Sequence, residues 1–349
     1  MRSFVSALIG GFIFAASAGL PPASASTASS AKAQAAKTIT KAKAATRVRG
    51  TIPAGRTPIK STRKRALVAR LAAPSEGHLA GLHRGNDRLD LASSVALVVD
   101  QDTNEVLFRK NEHVVLPIAS ITKLMTALVT VEAGLPLNEE LQVSRDELVR
   151  AGIRSRLQPG LEITRGTALH LALMSSENRA AQLLGRTYPG GISRFVEAMN
   201  AKARLLGMDD SHFTDPTGLS NENRSSASDL VRLVKAAYEY DVIRQYSTSG
   251  ELDLPMGRRT VSYRNTNRLT DNPEWDIGLQ KTGYISAAGR CLVMQAVIEG
   301  KRVVMVLLDS VGKYSRLGDA QRIREFVQST SLGKQAAPAS PGDPARRSM

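Results

Sequence analysis

Acidic residues are missing from the first 75 positions of this 349-residue chain. That stretch holds 13 of the 47 lysines and arginines and none of the 32 aspartates and glutamates. The formal net charge of +15 therefore belongs to one segment, because the remaining 34 basic and 32 acidic residues nearly cancel. Cysteine is almost absent too. Cys291 stands alone, which excludes an internal disulfide framework, and its strand-like surroundings read as a small buried hydrophobe. The five histidines (His78, His83, His113, His170, His212) form no His-Glu-x-x-His and accompany no cysteine cluster, so neither a zinc site nor any other metal or cofactor is expected. Beyond the first 20 residues no stretch approaches 18 consecutive apolar residues, so the mature protein should be soluble or peripheral. No internal repeat is visible.

What is present sorts into four regions. Met1-Arg-Ser, an apolar run from Phe4 to Leu20 and Pro21-Pro-Ala-Ser-Ala25 make residues 1–25 a secretory signal peptide, cut near Ala25. The alternative is an uncleaved anchor, for which the run is at the short limit. Residues 26–85 are expected to be a disordered basic segment rich in Ala, Lys, Ser and Thr. A secreted chain has no nucleic acid to meet. The counter-charge for residues 26–73 is then an anionic envelope or membrane surface, with a solvated tether as the other reading. Residues 86–330 form the folded body, and the Pro/Ala-rich residues 331–349 a disordered tail.

The body opens with a buried strand over Ser94–Asp100 and its hairpin partner over Glu105–Asn111. A helix is expected from Pro117, in its opening turn, to about Ala133. Helical patterns follow at Gly166–Leu173, Asn178–Arg186, Gly191–Leu206 and Ala227–Tyr240, the last capped by Ser225 or Ser226. Strands resume at Arg259–Arg264, Trp275–Lys281, Arg290–Ile298 and Arg302–Asp309, before a closing helix over Gly318–Ser329. Two strands, a helical block, then antiparallel hairpins give an α+β body. It has an antiparallel sheet of about five strands, flanked by helices, with an inserted all-helical lobe.

In the helix after the first hairpin, Ile118, Ile121, Leu124, Met125 and Leu128 recur at the spacing of one buried face, and Ser120 and Lys123 lie within it, one turn apart. A lysine in an apolar stripe is costly unless something uses it. A hydroxyl beside an amine whose pKa burial lowers is a nucleophile beside its base. Ser-x-x-Lys alone decides nothing, since the chain contains it five times, but Ser120/Lys123 is the one on an apolar helix face. Two further motifs occur once each: Ser176-Glu-Asn178 at a helix junction and Lys281-Thr-Gly283 at the end of an expected strand. Each has a bland explanation by itself, as a helix cap or a strand-ending turn; agreement of all three in their elements is the stronger signal.

This trio resembles the signature of the serine β-lactamases and penicillin-binding proteins. Over roughly Leu91–Gln328 the chain resembles the D-Ala-D-Ala peptidases of low molecular mass, in Pro117-Ile-Ala-Ser-Ile-Thr-Lys-Leu-Met-Thr-Ala, Asp215-Pro-Thr-Gly-Leu and Ala227-Ser-Asp-Leu. Ser175-Ser-Glu-Asn-Arg-Ala-Ala181, Tyr188-Pro-Gly-Gly191 and Gly312-Lys-Tyr-Ser-Arg316 are similar to the D-alanyl-D-alanine endopeptidase branch. The resemblance implies the β-lactamase/D,D-peptidase-like fold, a periplasmic serine peptidase that cuts peptidoglycan cross-links, stem peptides as partners and β-lactams as covalent inhibitors. Ser120 would attack a peptide carbonyl, Lys123 take its proton, and Ser176 relay a proton to the leaving amine. Asn178 would bond the substrate backbone or Lys123. Lys281 and Thr282 would hold a substrate carboxylate, and Gly283 would let the peptide approach the strand edge. The resemblance also implies an oxyanion hole from the backbone N–H groups of Ser120 and Tyr284.

Three other readings stay open: a D,D-carboxypeptidase with the same machinery, a class A-like β-lactamase, and a non-catalytic envelope-binding protein. The β-lactamase chemistry uses a Glu-x-x-Leu-Asn loop that this chain lacks. A labelled penicillin followed by mass spectrometry is expected to leave one adduct, on Ser120; a label elsewhere, or none, overturns the assignment.

Overall fold

The computed structural model describes residues 73–85, 87–147 and 155–336. The expected signal peptide, the basic segment up to residue 72 and the end of the tail lie outside the described residues. A short helix, α1 (Glu76–Leu79), precedes the hairpin of β1 (Ser93–Asp100) and β2 (Val106–Lys110). The two-residue strand β3 (Leu116–Pro117) leads into α2 (Thr122–Glu132). Next come the paired strands β4 (Glu140–Gln142) and β5 (Glu162–Thr164), then α3 (Arg165–Met174), α4 (Asn178–Arg186) and α5 (Gly191–Leu205). β6 (Arg224–Ser225) pairs with β3, and α6 (Ala227–Tyr238) and α7 (Asp241–Thr248) return the chain to the sheet. A ribbon of β7 (Glu251–Met256) and β8 (Arg259–Arg264) is followed by β9 (Asp276–Ile285), β10 (Gly289–Ile298), β11 (Lys301–Ser310) and α8 (Ser315–Ala336).

The main sheet is antiparallel throughout, in the order β2-β1-β11-β10-β9. Its first long strand pairs with its last, Val95 opposite Leu308 and Val98 opposite Met305. The sheet is thus assembled from both ends of the domain, with the chain between β2 and β9 inserted between its halves, as the order of elements suggested; that insert is not all-helical, since it also carries the two-stranded pairs β3–β6, β4–β5 and β7–β8. Side chains alternate between two cores, one on each face. Val304, Val306 and Leu308 of β11 join Val95 and Leu97 of β1 against α2 and α6. Val303, Met305 and Leu307 join Ala96 and Val98 against Ala320, Ile323 and Val327 of α8. Burial on both faces explains why these strands read as continuous apolar runs rather than alternating ones.

Several expectations change. Pro117 does not open the helix. It pairs with Arg224 in a strand bridge, and Ser120 sits in a 3-10 turn (Ala119–Ile121) that enters α2 from an Ala119 held at φ 49°. Nor does α2 have a single buried face: every residue from Thr122 to Thr130 is buried, because sheet-side α6 and lobe helices α3, α4 and α5 surround it. β7 and α7 were not foreseen; Pro255 within Glu251-Leu-Asp-Leu-Pro-Met argues against a strand, and tolerates one here only because β7 belongs to a two-stranded ribbon. β8 joins that ribbon and not the main sheet.

Disorder through residue 85 is corrected as well. The Glu76 N–H donates to Ala287 O at 2.9 Å, His83 Nε2 lies 2.9 Å from Asp309 Oδ2, and Ser94 donates to the same oxygen at 2.8 Å. Single tertiary contacts hold this stretch, and composition does not register them. The helix α8 likewise continues through Ala336, into the first residues assigned to the tail.

The start of β1 is fastened to α8 by Asp319, whose buried carboxylate accepts from Ala92 N (3.0 Å), Ser93 N (2.8 Å), Ser93 Oγ (2.6 Å) and Arg322 (2.8 Å). Asp319→Ala strands these donors in the interior and is expected to cost about 3 kcal/mol of unfolding free energy. Urea denaturation measures it; a loss below about 0.5 kcal/mol contradicts the clamp.

Candidate active site

The three motifs converge on one cleft between the lobe and the outer edge of β9. Lys123 projects from α2 with no solvent exposure, and its Nζ lies 2.9 Å from Ser120 Oγ, 2.8 Å from Asn178 Oδ1 and 2.6 Å from Thr217 O. Asn178 Oδ1 and Thr217 O can only accept. Two N–H bonds of a neutral amine satisfy them and leave the nitrogen lone pair facing the Ser120 hydroxyl, the arrangement of a base poised over its proton. Burial lowers the Lys123 pKa to about 7, against the pull of Asp215 and Glu177 toward the charged form. The apolar stripe around Lys123 led to the expectation that burial lowers this pKa, and burial is the first cause in the structure.

Lys281 is equally buried. Its Nζ donates to Ser176 Oγ at 2.9 Å and to Thr282 O at 2.7 Å. Its pKa is pushed well down, first by burial and then by the charges of Lys123 and Arg316. The expected strand end at Lys281 is not there: β9 continues to Ile285, so Lys281-Thr-Gly283 lies in mid-strand. β9 is an edge strand, which leaves its outer side free of sheet partners along the cleft.

Backbone geometry sets the rest. Ser176 adopts φ 60° at the junction of α3 and α4, a conformation costing about 1 kcal/mol or more for a non-glycine residue, and there its hydroxyl meets Lys281. Neither Ser176 nor Asn178 caps the following helix; Glu177 does, accepting from Arg179 N. Gly283 packs against the Ser120 turn so closely that a Cβ would lie 2.9 Å from Ile118 O and 3.1 Å from Ser120 N. The backbone of β9 and the amide of Ser120 are thereby brought side by side. Tyr284 follows at the rim, exposed.

The loop Asp215-Pro-Thr-Gly-Leu219 stood in the sequence as a stretch carrying the family resemblance, and the structure gives it a task. Asp215 Oδ1 accepts from Thr217 N, Thr217 Oγ1 and Gly218 N at 2.6, 2.5 and 2.8 Å, while Oδ2 accepts from Ser220 N and Asn223 Nδ2, both at 3.0 Å. Wound about this carboxylate, the loop delivers Thr217 O to Lys123 and Pro216 O to Thr126.

Two other residues carried no sequence signal as site residues. Thr266 accepts from Thr282 Oγ1 at 2.7 Å, and its N–H donates to Met174 O at 3.1 Å, linking β9 to the end of α3. Arg316 lines the cleft with Nε and Nη1 buried and unpartnered among the described residues. It lies beyond the last strand, so only the fold relates it to Lys281. The cleft encloses about 820 Å³. A hydroxyl nucleophile, a neutral buried amine, an open strand edge and a cationic end suit acyl transfer from a peptide that ends in a carboxylate.

Comparisons with known proteins agree with this geometry. The family model described as D-alanyl-D-alanine carboxypeptidase matches residues 83–312. The chain is 47% identical over 242 residues to a D-alanyl-D-alanine endopeptidase of Pseudomonas aeruginosa, covering 68% of this chain and 78% of that protein. Among solved structures it is similar to a D-alanyl-D-alanine carboxypeptidase from Mycobacterium tuberculosis, with TM-score 0.64 and 27% identity over 69% of this chain and 92% of the other. It is also similar to penicillin-binding protein D2 from Listeria monocytogenes in its ampicillin-bound form, with TM-score 0.61 and 26% identity over 69% and 99% of the two chains.

The amine titration sets a pH profile. Protonated Lys123 cannot accept the Ser120 proton, so the rate of Ser120 acylation by a penicillin should rise through a midpoint at about 7. Below it the rate should fall about tenfold per pH unit. Stopped-flow acylation across the neutral range tests this, and a flat profile contradicts the role of the amine.

Proposed function

The chain belongs to the D-alanyl-D-alanine carboxypeptidase family of peptidases, and on that premise we propose that it is a periplasmic D,D-endopeptidase that hydrolyses peptidoglycan cross-links through an acyl-enzyme on Ser120. One observation carries the chemistry: a fully buried amine, Lys123, 2.9 Å from the Ser120 hydroxyl with its N–H bonds directed elsewhere. The substrate peptide lies along the open edge of β9. Lys281, Thr282 and Arg316 receive the carboxylate of the leaving residue, and an anion at that place restores the charge that burial takes from Lys281.

Lys123 removes the Ser120 proton as Oγ bonds to the carbonyl carbon. The carbonyl oxygen becomes an oxyanion, received by the backbone N–H groups of Ser120 and Tyr284 at about 3–4 kcal/mol of barrier per donor. Collapse breaks the C–N bond, and the proton that Lys123 took from Ser120 passes through the Ser176 hydroxyl, next to Lys281, to the departing amine, leaving Lys123 neutral again. Water then attacks the ester; Lys123 takes its proton and returns it to Ser120 Oγ as the acyl group leaves as a carboxylic acid.

The endopeptidase reading is supported by the similarity to the P. aeruginosa endopeptidase. The family description favours a second reading, carboxypeptidase action on terminal D-Ala. β-Lactams, whose ring carbonyl presents the same target to Ser120, would acylate it and remain bound, in keeping with the ampicillin-bound Listeria relative. Residues 1–25 would direct secretion, with cleavage near Ala25, and the basic residues 26–73 would contact the anionic envelope. No helix among the described residues is long and apolar enough to cross a membrane.

Muropeptide digestion separates the readings. Conversion of cross-linked dimers to monomers is expected, and Ser120→Ala should abolish it. Loss of terminal D-Ala from monomer pentapeptides alone, with dimers intact, sinks the endopeptidase assignment.

A further inference from the structure

The rim of the cleft beyond Arg316 carries more positive charge than one carboxylate needs. Arg290 stands opposite Tyr284 across β9 and β10, its guanidinium 4.5 Å from the centre of that ring. Arg268 and Lys313 both lie over Tyr314, at 5.9 and 5.1 Å. The two rings are about half exposed, at 48% and 51%. Arg268, Arg290 and Lys313 hold the Tyr314 phenol below its usual pKa after a hydrogen bond from Lys313, and Arg290 acts against the charge of Arg316, so the four cations form one field.

Among the described residues none of the four pairs with a carboxylate. Asp309, close to Cys291 on the same sheet, bonds His83 and Ser94 through Oδ2, keeps Oδ1 buried without a partner among the described residues, and forms an ion pair with none of the four. Over residues 76–349 the 34 basic and 32 acidic residues nearly cancel, so four cations sharing one field are a local excess. Like charges gathered without counter-ions disfavour one another, and their use is to attract an anion.

Position says which anion. If the leaving residue places its carboxylate between Lys281 and Arg316, whatever is attached to that residue leaves past Tyr284, which lines the cleft, toward the Tyr314 cluster with which Tyr284 shares Arg290. A carboxypeptidase substrate has nothing there, whereas a cross-link continues into a second stem peptide. We propose that Arg268, Arg290 and Lys313, with the rings of Tyr284 and Tyr314, form a subsite for the leaving stem peptide, and that this stem carries free carboxylates beyond the one held in the cleft. The inference rests on the endopeptidase reading. The rings offer flat apolar seats for the peptide, and the cations above them pair with its acids.

The test uses two synthetic cross-linked dimers that differ only in whether the carboxylates of the leaving stem are free or amidated. The wild-type protein is expected to cleave the free form with about tenfold higher kcat/KM, and Arg268→Gln/Lys313→Gln to lose that preference by slowing the free form alone. Equal wild-type rates on both dimers, or a preference that survives the double substitution, overturns the subsite. Penicillin acylation of Ser120, which involves no leaving stem, reads the catalytic centre separately. A double variant that acylates as slowly as it cleaves has suffered general damage, and that result also counts against the subsite. A wild-type protein that acylates but cleaves neither dimer sinks the endopeptidase reading itself, a result distinct from cleavage of both dimers at equal rates.

Discussion

An amine sealed from solvent with no carboxylate touching it is the constraint around which this domain is arranged. A charged lysine at the centre of a protein is among the most expensive residues to bury, and the usual remedy is a salt bridge. Here Lys123 meets only a hydroxyl, an amide oxygen and a backbone carbonyl. Those neutral partners hold its hydrogen bonds but bring no charge large enough to offset burial, so the proton is given up near neutrality. A carboxylate in contact would have steadied the fold and removed the base.

Each partner comes from a different part of the chain. Ser120 stands on the turn before α2, Asn178 at the start of α4, and Thr217 on the loop wound around Asp215. The lobe brings the last two to the helix, and the paired ends of the domain bring β9 to its other side. Asp215 shows how the charge is kept at a distance: its oxygens are consumed by the loop's own N–H and hydroxyl groups, so it shapes the loop without touching Lys123.

Strain and close approach mark the same place. Ala119 and Ser176 hold positive φ, Gly218 does so with its α-carbon against Ala119, and Gly283 admits β9 to the Ser120 turn. At Gly218 a Cβ would lie 1.9 Å from Ala119 O. Such conformations persist only where the surroundings over-determine them. Buried on all sides, α2 supplies that rigidity. The aromatic rim at Tyr284 and Tyr314 is about half exposed and lies outside this rigid packing.

The antiparallel α+β architecture, the insert between two halves of a sheet and the three motifs that meet in the cleft were legible in the chain because local pattern governs them. Strand runs, helix periods and two motifs that occur once each do not depend on distant residues. Boundaries failed where tertiary contacts override local preference: Pro117 in a bridge with Arg224, β9 running past Lys281, and residues 73–85 held by Ala287 and Asp309. Thr217 and Arg316 lie in stretches that carried the family resemblance and Thr266 in none, but none of the three was assigned to the site, because what a backbone carbonyl, a second hydroxyl or a distant arginine faces is set by the fold. Residue types and their spacing were enough to single out Ser120, Lys123 and Lys281 as candidate nucleophile, base and anchor. That the amine sheds its proton near neutrality rests on complete burial, and burial belongs to the folded assembly and to no stretch of the chain.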